Sequence, residues 1–542
     1  MSVNTNEEFD LDLLIQQIGP FGKYQLLNYL LICIPVTLTA MYSLAFVFTA
    51  GDLDYRCRIT ECDADNPNLH ATFLNFTTPI DGDRFSMCQK FQHIPNGTVE
   101  DQCQADLFDH DKVEDCSDFV YQDDETTILS EWDLGCSEEW KLSLVGSINN
   151  VGQVVGLALS GYISDRFGRR TVFILSCFFA ALLGIIRSFS TSYQMFMVFE
   201  FLEPALSVGA FNSAFILGME LLCPERRFLG AFFITAFFAL GEALLGLLAM
   251  VTRDWRLLLQ VAYAPTFIFV IYHWIIPESV RWLQSMNRTR DAAKIIESAV
   301  KMNKSELTPE AKAMLTQALQ KEYYLNKSEK LHEKERDSNE YRLMSVFKSK
   351  ILLLRILNCC FCWISIGFVY YGLTMNSVSV AGNKYVNYIL NCLTEIPGAA
   401  LSCILMEKIG RRKVLFVSLT LSSVCCIAYI FLQNAPEAAQ LVVFLISKCL
   451  ATMSYIAVYV YTTELFPTEL RHTLVSVCGM IGKVGPTLAP YTVLLGKYFE
   501  SLPMILFACA ALPAGILILF APETHRKTLP DTIQEAEDIG RR

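Results

Sequence analysis

Glu395 and Lys483 are ionisable residues inside long apolar runs. Glu395 lies in Leu393-Thr394-Glu395-Ile396-Pro397-Gly398, and Lys483 in Gly482-Lys483-Val484-Gly485-Pro486. A charged side chain within a membrane span is costly and marks a functional position by default. The proline and glycine beside Glu395 can interrupt its helix and open it toward a cavity. An amine favours a carboxylate and aromatic faces; a substrate carboxylate favours a lysine in low dielectric. Glu395 with Lys483 therefore suits a zwitterion. The competing reading is that the two pair with each other or with backbone, as buried charges commonly do. Lys448 stands at the inner part of a further run and can either join the site or snorkel to the interface. Glu200, Glu203, Glu242 and Arg187 are further ionisable residues in apolar runs. Asn150 and Gln153, one turn apart, can hydrogen-bond a ligand or join two helices.

These residues must be positioned by membrane helices. The chain has 542 residues, 53% hydrophobic and 18% charged, and its mean hydropathy is positive. Apolar runs predict helices near 24–50, 141–162, 171–189, 195–222, 229–251, 257–276, 351–373, 385–406, 413–432, 440–462, 473–497 and 503–521. Runs of this length cross a bilayer, so an all-α polytopic membrane protein is expected, with twelve transmembrane helices and both termini cytosolic. The domains read as a cytosolic N-terminus (1–23), a first transmembrane helix (24–50), an outer loop (51–139) and helices 2–6 (141–276). A cytosolic linker (277–350), a second six-helix half (351–521) and a cytosolic tail (522–542) follow.

Charge orients the chain. Residues 51–139 hold 22 Asp/Glu against 5 Lys/Arg, a net −17; the whole chain carries −11, so the remainder is +6. Basic loops stay inside, so the acidic loop faces outward, and no nucleic-acid partner is expected. Cys57, Cys62, Cys88, Cys103, Cys116 and Cys136 in that loop predict three disulfides of open connectivity. Asn75 and Asn96 there match the N-glycosylation pattern. Asn287, Asn303 and Asn326 also match, but fall in the basic linker and are expected to stay unmodified. That linker reads as amphipathic helical segments with a solvated charged face. The partners expected are a small-molecule substrate and the lipid bilayer, with the outer loop offering a surface for a homo-oligomer.

Three ordered anchors repeat. Asp165-Arg166-Phe167-Gly168-Arg169-Arg170 recurs as Glu407-Lys408-Ile409-Gly410-Arg411-Arg412; Glu220 with Arg226 and Arg227 recurs as Glu464 with Arg471. Pro277-Glu278-Ser279-Val280-Arg281 recurs as Pro522-Glu523-Thr524-His525-Arg526. The near-constant offset predicts two structurally equivalent halves. Gly168 and Gly410 permit tight turns. Asp165 can pair with an arginine or face the positive N-terminus of a neighbouring helix. Contacts of this kind can hold one half against the other in one state and release in the next, so the repeated acids and bases read as gates.

Asp165–Arg170, Arg253-Asp254-Trp255-Arg256, PESVRWL at 277–283, ELFPTELR at 464–471 and PETHRKTLPDTI at 522–533 resemble the solute carrier 22 family. This is the organic cation, carnitine and organic anion branch of the major facilitator superfamily. The resemblance runs from Gly19-Pro20-Phe21-Gly22 to the C-terminal tail and includes the Cys-rich loop after the first span. It implies the major facilitator fold and residence in the plasma membrane. Glu395 matches a glutamate of cation-binding members. Lys483 falls where cation carriers have aspartate and where anion and carnitine carriers have arginine; residues 483–498 look most like the carnitine branch. Ala399 stands where anion carriers often have lysine. Phe211, Phe238, Trp363 and Tyr370 match the family's cation-accommodating wall.

The expected function is secondary transport of a small zwitterion or organic cation: carnitine-like, β-amino-acid or biogenic-amine derived. An organic anion carrier of the same fold is the alternative, and a transporter-like receptor the out-of-class one. The chain has no Walker loop and no His/Cys metal spacing in its spans, so neither ATP-driven transport, a metal nor an enzyme is expected. No cofactor is expected; a coupling ion, Na+ or H+, is left open.

Overall fold

The computed structural model describes residues 11–19, 22–64, 67–81, 84–94, 102–222, 227–320, 349–467, 470–525, 530 and 533–539. Among them, ten helical stretches are long and apolar enough to cross a membrane. These are Lys23–Thr49, Cys136–Phe167, Arg169–Ser188, Tyr193–Glu220, Leu229–Thr252, Trp255–Ile275, Lys350–Ser379, Lys384–Ile409, Arg411–Phe431 and Glu437–Leu465. The other two expected spans differ. Residues 471–498 form three helices end to end, Arg471–Gly482, Val484–Leu488 and Pro490–Tyr498, and the last is the 17-residue Leu502–Ile518. Gly482, Gly485, Pro486 and Pro490 account for the first difference, because glycine loosens a helix and proline removes a backbone donor.

Local chemistry sets the helix ends. Ser192, Asp254, Ser279, Ser349 and Asn383 each accept a backbone N–H in the first turn of the helix they start, which satisfies an otherwise orphaned donor. The eighth span bends at Thr394, between Lys384–Leu393 and Glu395–Ile409. The linker forms Val280–Ser285, Thr289–Asn303 and Pro309–Gln320. The Asn303 side chain ties it to the first half, accepting from the Tyr24 backbone N–H (2.8 Å) and donating to the Ile18 carbonyl (3.1 Å).

The segment after the first span is a small disulfide-bonded unit. Its pairs are Cys57–Cys116, Cys62–Cys103 and Cys88–Cys136. Three two-stranded antiparallel ribbons lie between them, and the longest pairs Gln89–His93 with Phe108–Asp115. Buried Arg56 is held by Asp63 (2.5 Å) and by the Asn68 carbonyl (2.6 Å). Asn75 is exposed; Asn96 and Asn326 lie outside the described residues.

The two halves meet at the end of the bundle that carries this unit. One apolar cluster there combines Phe46, Phe48, Leu129 and Trp255 of the first half with Tyr385, Tyr388 and Ala489 of the second. Ser143 Oγ donates to the Pro490 carbonyl (3.2 Å) and Ser147 Oγ to that of Thr487 (2.7 Å). Lys497 pairs with Asp52 and Glu139, both at 2.9 Å. Lys384 pairs with Glu125. Gly146 lets the helices approach: a Cβ there would lie 2.7 Å from Phe46 and from Pro490. Lipid tails are as apolar as leucine, so such close packing and hydrogen bonding, not hydrophobicity alone, hold membrane helices together.

Candidate functional site

Lys483 occupies the break between Arg471–Gly482 and Val484–Leu488. The break turns its half-buried side chain toward the first half, where the ammonium donates to Gln153 Oε1 at 2.8 Å. It also lies 5.4 Å from the Tyr371 ring centre. No carboxylate ion-pairs with it among the described residues. Gln153 Nε2 in turn donates to Asn149 Oδ1 (2.9 Å), and Asn149 Nδ2 to Glu200 Oε1 (2.8 Å). Glu200 is neutralised by Arg187, which also donates to the Tyr263 hydroxyl (2.8 Å). A polar chain thus runs from the second half's lysine into the core of the first. Asn150 serves the contact between halves, donating to the Gly146 (2.8 Å) and Pro486 (3.3 Å) carbonyls.

Glu395 is not Lys483's partner. Its carboxylate pairs with Lys448 at 2.8 Å and accepts from the Tyr370 hydroxyl at 2.6 Å. Lys448 does not snorkel: it is 0% exposed. Its ammonium also donates to Thr374 Oγ1 (2.7 Å) and the Tyr370 carbonyl (3.4 Å), and sits 3.3 Å from the Tyr370 ring centre. The physical reason is proximity in the fold. Lys350–Asn376 and Glu395–Ile409 belong to one half and both pack against Glu437–Leu465. A buried carboxylate with a cation on the next helix is neutralised there first.

The aromatic residues form two groups. Phe211 and Phe238 meet edge to face at 5.2 Å in the first half. In the second, Tyr370 contacts Tyr371 (5.1 Å) and Tyr455 (5.0 Å), and Trp363 contacts Tyr455 and Tyr459, both at 6.0 Å. The Trp363 indole N–H is held by Thr462 (3.0 Å). Tyr371, Tyr455 and Tyr459 were not singled out in the sequence. Their spacing, four residues apart in the latter pair, is the signal that places them on one helical face.

The repeated motifs bind within each half. Gly168 and Gly410 have φ of +99° and +95°, a region costly for any side chain. Each turn presents a helix N-terminus to a carboxylate: the Arg170 N–H donates to Glu278 and the Arg411 N–H to Glu523, both at 3.0 Å. Glu220 accepts from the Ser279 hydroxyl and Glu464 from that of Thr524. Arg170 reaches the Ile276 carbonyl and Arg412 that of Ala521. The copies differ in one pair: Arg169 binds Asp165 (2.9 Å), whereas Arg411 binds Glu464 (2.9 Å). Asp165 and Glu407 are exposed, and Arg166 lies over the Phe167 ring. Arg281 lies on Val280–Ser285, and Arg471 opens Arg471–Gly482. Arg227 opens its helix; Arg226 lies outside the described residues. The expectation is that these contacts clasp one half to the other; among the described residues, the contacts seen lie within a half. The halves touch at the opposite end, so the acids find partners in their own half.

A family model described as "Sugar (and other) transporter" matches residues 110–535. An organic cation transporter protein of Drosophila melanogaster is 28% identical over 537 residues, covering 98% of this chain and 95% of that protein. Solute carrier family 22 member 3 of Mus musculus is 29% identical over 552 residues, covering 98% and 96%. Organic cation/carnitine transporter 2 of Rattus norvegicus is 29% identical over 542 residues, covering 97% and 94%. Among solved structures, the proton:xylose symporter XylE bound to 6-bromo-6-deoxy-D-glucose aligns with a TM-score of 0.56 at 17% identity. It covers 76% of this chain and 92% of that one. The fold is that of the major facilitator superfamily.

Proposed function

Since the chain belongs to the sugar (and other) transporter family, and is a multi-pass secondary transporter rather than an enzyme, we propose that its cargo is a small carboxylate-bearing zwitterion. Carnitine-like and β-amino-acid compounds have this chemistry. The cargo crosses the plasma membrane by alternating access, both termini being cytosolic. The observation that carries the reading is the state of Lys483: its ammonium rests on a neutral amide and a tyrosine face. A substrate carboxylate can displace the Gln153 contact and gain a charge-assisted bond. The amine end finds aromatic faces at Tyr371, Tyr455 and Trp363, and at Phe211 and Phe238 across the site. Among the relatives, an organic cation/carnitine transporter supports a zwitterionic cargo, and an organic cation transporter supports its amine end.

The engagement of Glu395 by Lys448 favours a second reading. With that carboxylate neutralised, Lys483 is the charge left to select cargo, and an organic anion also fits.

In this reading the halves are closed at the end carrying the disulfide-bonded unit and open at the basic end, and the repeated motifs act as gates for the opposite state. Lys483→Asp tests the cargo. Uptake of a zwitterion should fall at least about tenfold, the equivalent of about 1.4 kcal/mol, while uptake of a simple cation of similar size is spared. Zwitterion uptake unchanged in that variant removes Lys483 from the site. Uptake of an anion and not a zwitterion by the unaltered protein selects the second reading.

A further inference from the structure

Glu242 is an acid that neither the carrier reading nor the repeated motifs use. It lies on Arg227–Thr252 and is 1% exposed. Its carboxyl faces that of Glu395 at hydrogen-bonding range. The two acids belong to different halves, on helices that pack against each other. The cation that acts on both is Lys448, whose donors are committed to Glu395, Thr374 and the Tyr370 carbonyl. Among the described residues, Oε2 of Glu242 has no hydrogen-bond partner.

Among the described residues, the other groups facing the pair bring no positive charge. They are Tyr370 and Tyr371 on Lys350–Asn376, and Tyr388 and Cys392 on Lys384–Leu393. Tyr455 on Glu437–Leu465 faces Glu395. From the first span, packed along the other side of the Glu242 helix, Tyr42 faces Glu203 instead.

Two buried carboxyls therefore lie together beside one ammonium, which pairs with Glu395. Like charges at this range cannot both ionise in low dielectric, and a carboxylate can only accept, so a hydrogen bond between the two needs a proton on one of them. We propose that Glu242 and Glu395 bind one proton between them, in a site that exists only while the two halves are closed at the end carrying the disulfide-bonded unit. Opening that end parts the carboxyls, admits water and releases H+ from the O–H of one acid; closing it takes one H+ up. Acid on that side favours closure. For one proton, the closed-to-open ratio changes by up to about tenfold per pH unit. The inference rests on the alternating movement proposed above and not on the choice of cargo.

Infrared spectroscopy of the purified full chain reads the proton without any transport. The expected result is a protonated-carboxyl C=O band at neutral pH, slow to shift in deuterated buffer, that is lost in Glu242→Gln. The glutamine amide can still donate to Glu395, so the contact between helices is kept. In reconstituted vesicles, uptake should respond to pH on the side of the disulfide-bonded unit. That response should be lost in Glu242→Gln and kept in Glu242→Asp. A carboxyl band unchanged in Glu242→Gln overturns the proton site whatever the cargo. Loss of the band with an unchanged pH response overturns the link to closure. The band present with no uptake of any probe overturns the carrier reading and leaves the proton site standing.

Discussion

At the scale of residues, the pairing of Glu395 with Lys448 redirects attention to Lys483. Both lysines lie in apolar helices, and composition alone does not distinguish them. Their neighbours do: Lys448 meets a carboxylate, a hydroxyl and a carbonyl, whereas Lys483 meets an amide and a ring. One lysine is a structural counter-ion, and the other has no carboxylate partner among the described residues. Lys448→Met should therefore destabilise the protein by about 3–5 kcal/mol, because it leaves a buried carboxylate without its cation. Thermal unfolding in detergent measures the loss. The double change Lys448→Met with Glu395→Gln should recover most of it, since neither charge is then left unpaired.

Helix breaks place the functional groups at the scale of elements. The eighth span is interrupted at Thr394 and the eleventh at Lys483, next to Glu395 in the one case and at the lysine that reaches Gln153 of the first half in the other. Both breaks are legible in the sequence, as Thr-Glu-Ile-Pro-Gly and Gly-Lys-Val-Gly-Pro. The gate turns are legible too, since a φ near +95° calls for glycine. What the repeat could not disclose is the partner of each acid. Glu278 and Glu523 cap the helix that follows each glycine. Among the described residues, the Asp165 carboxylate is exposed and pairs with Arg169 across the Gly168 turn, a contact worth about 0.2–1 kcal/mol. Asp165→Asn should thus leave stability and ligand affinity nearly unchanged. Uptake should fall by roughly tenfold if the carboxylate meets a helix terminus in the other state, a contact worth up to about 2 kcal/mol. Paired binding and uptake assays check this; collapse of binding in a folded variant would count against a gating role.

For the whole molecule, the closed end is held by apolar packing, by side chain to carbonyl bonds and by Lys497 bridging Asp52 and Glu139. Lys497 is the cation of that bridge, and both acids belong to the first half. Lys497→Ala should shift the population toward the state open at that end. The readout is a Ser143→Cys reporter, now buried beside Pro490, whose labelling by a membrane-impermeant thiol reagent should rise several-fold. No rise would show that the apolar cluster alone sets the closure.

The sequence by itself determined that this is a membrane protein of two equivalent halves, and its motifs carried the resemblance to a transporter family. Span length, charge asymmetry and an internal repeat are properties of consecutive residues, read without knowing what touches what. It also marked the acids and bases that a bilayer tolerates only for a reason. Only the tertiary structure decided how those charges pair. Glu395 and Lys448 are 53 positions apart and Glu242 and Glu395 are 153 apart, and no periodicity relates helices that distant. Whether a buried charge is neutralised, shares a proton or stays available to cargo depends on which helices pack side by side in three dimensions.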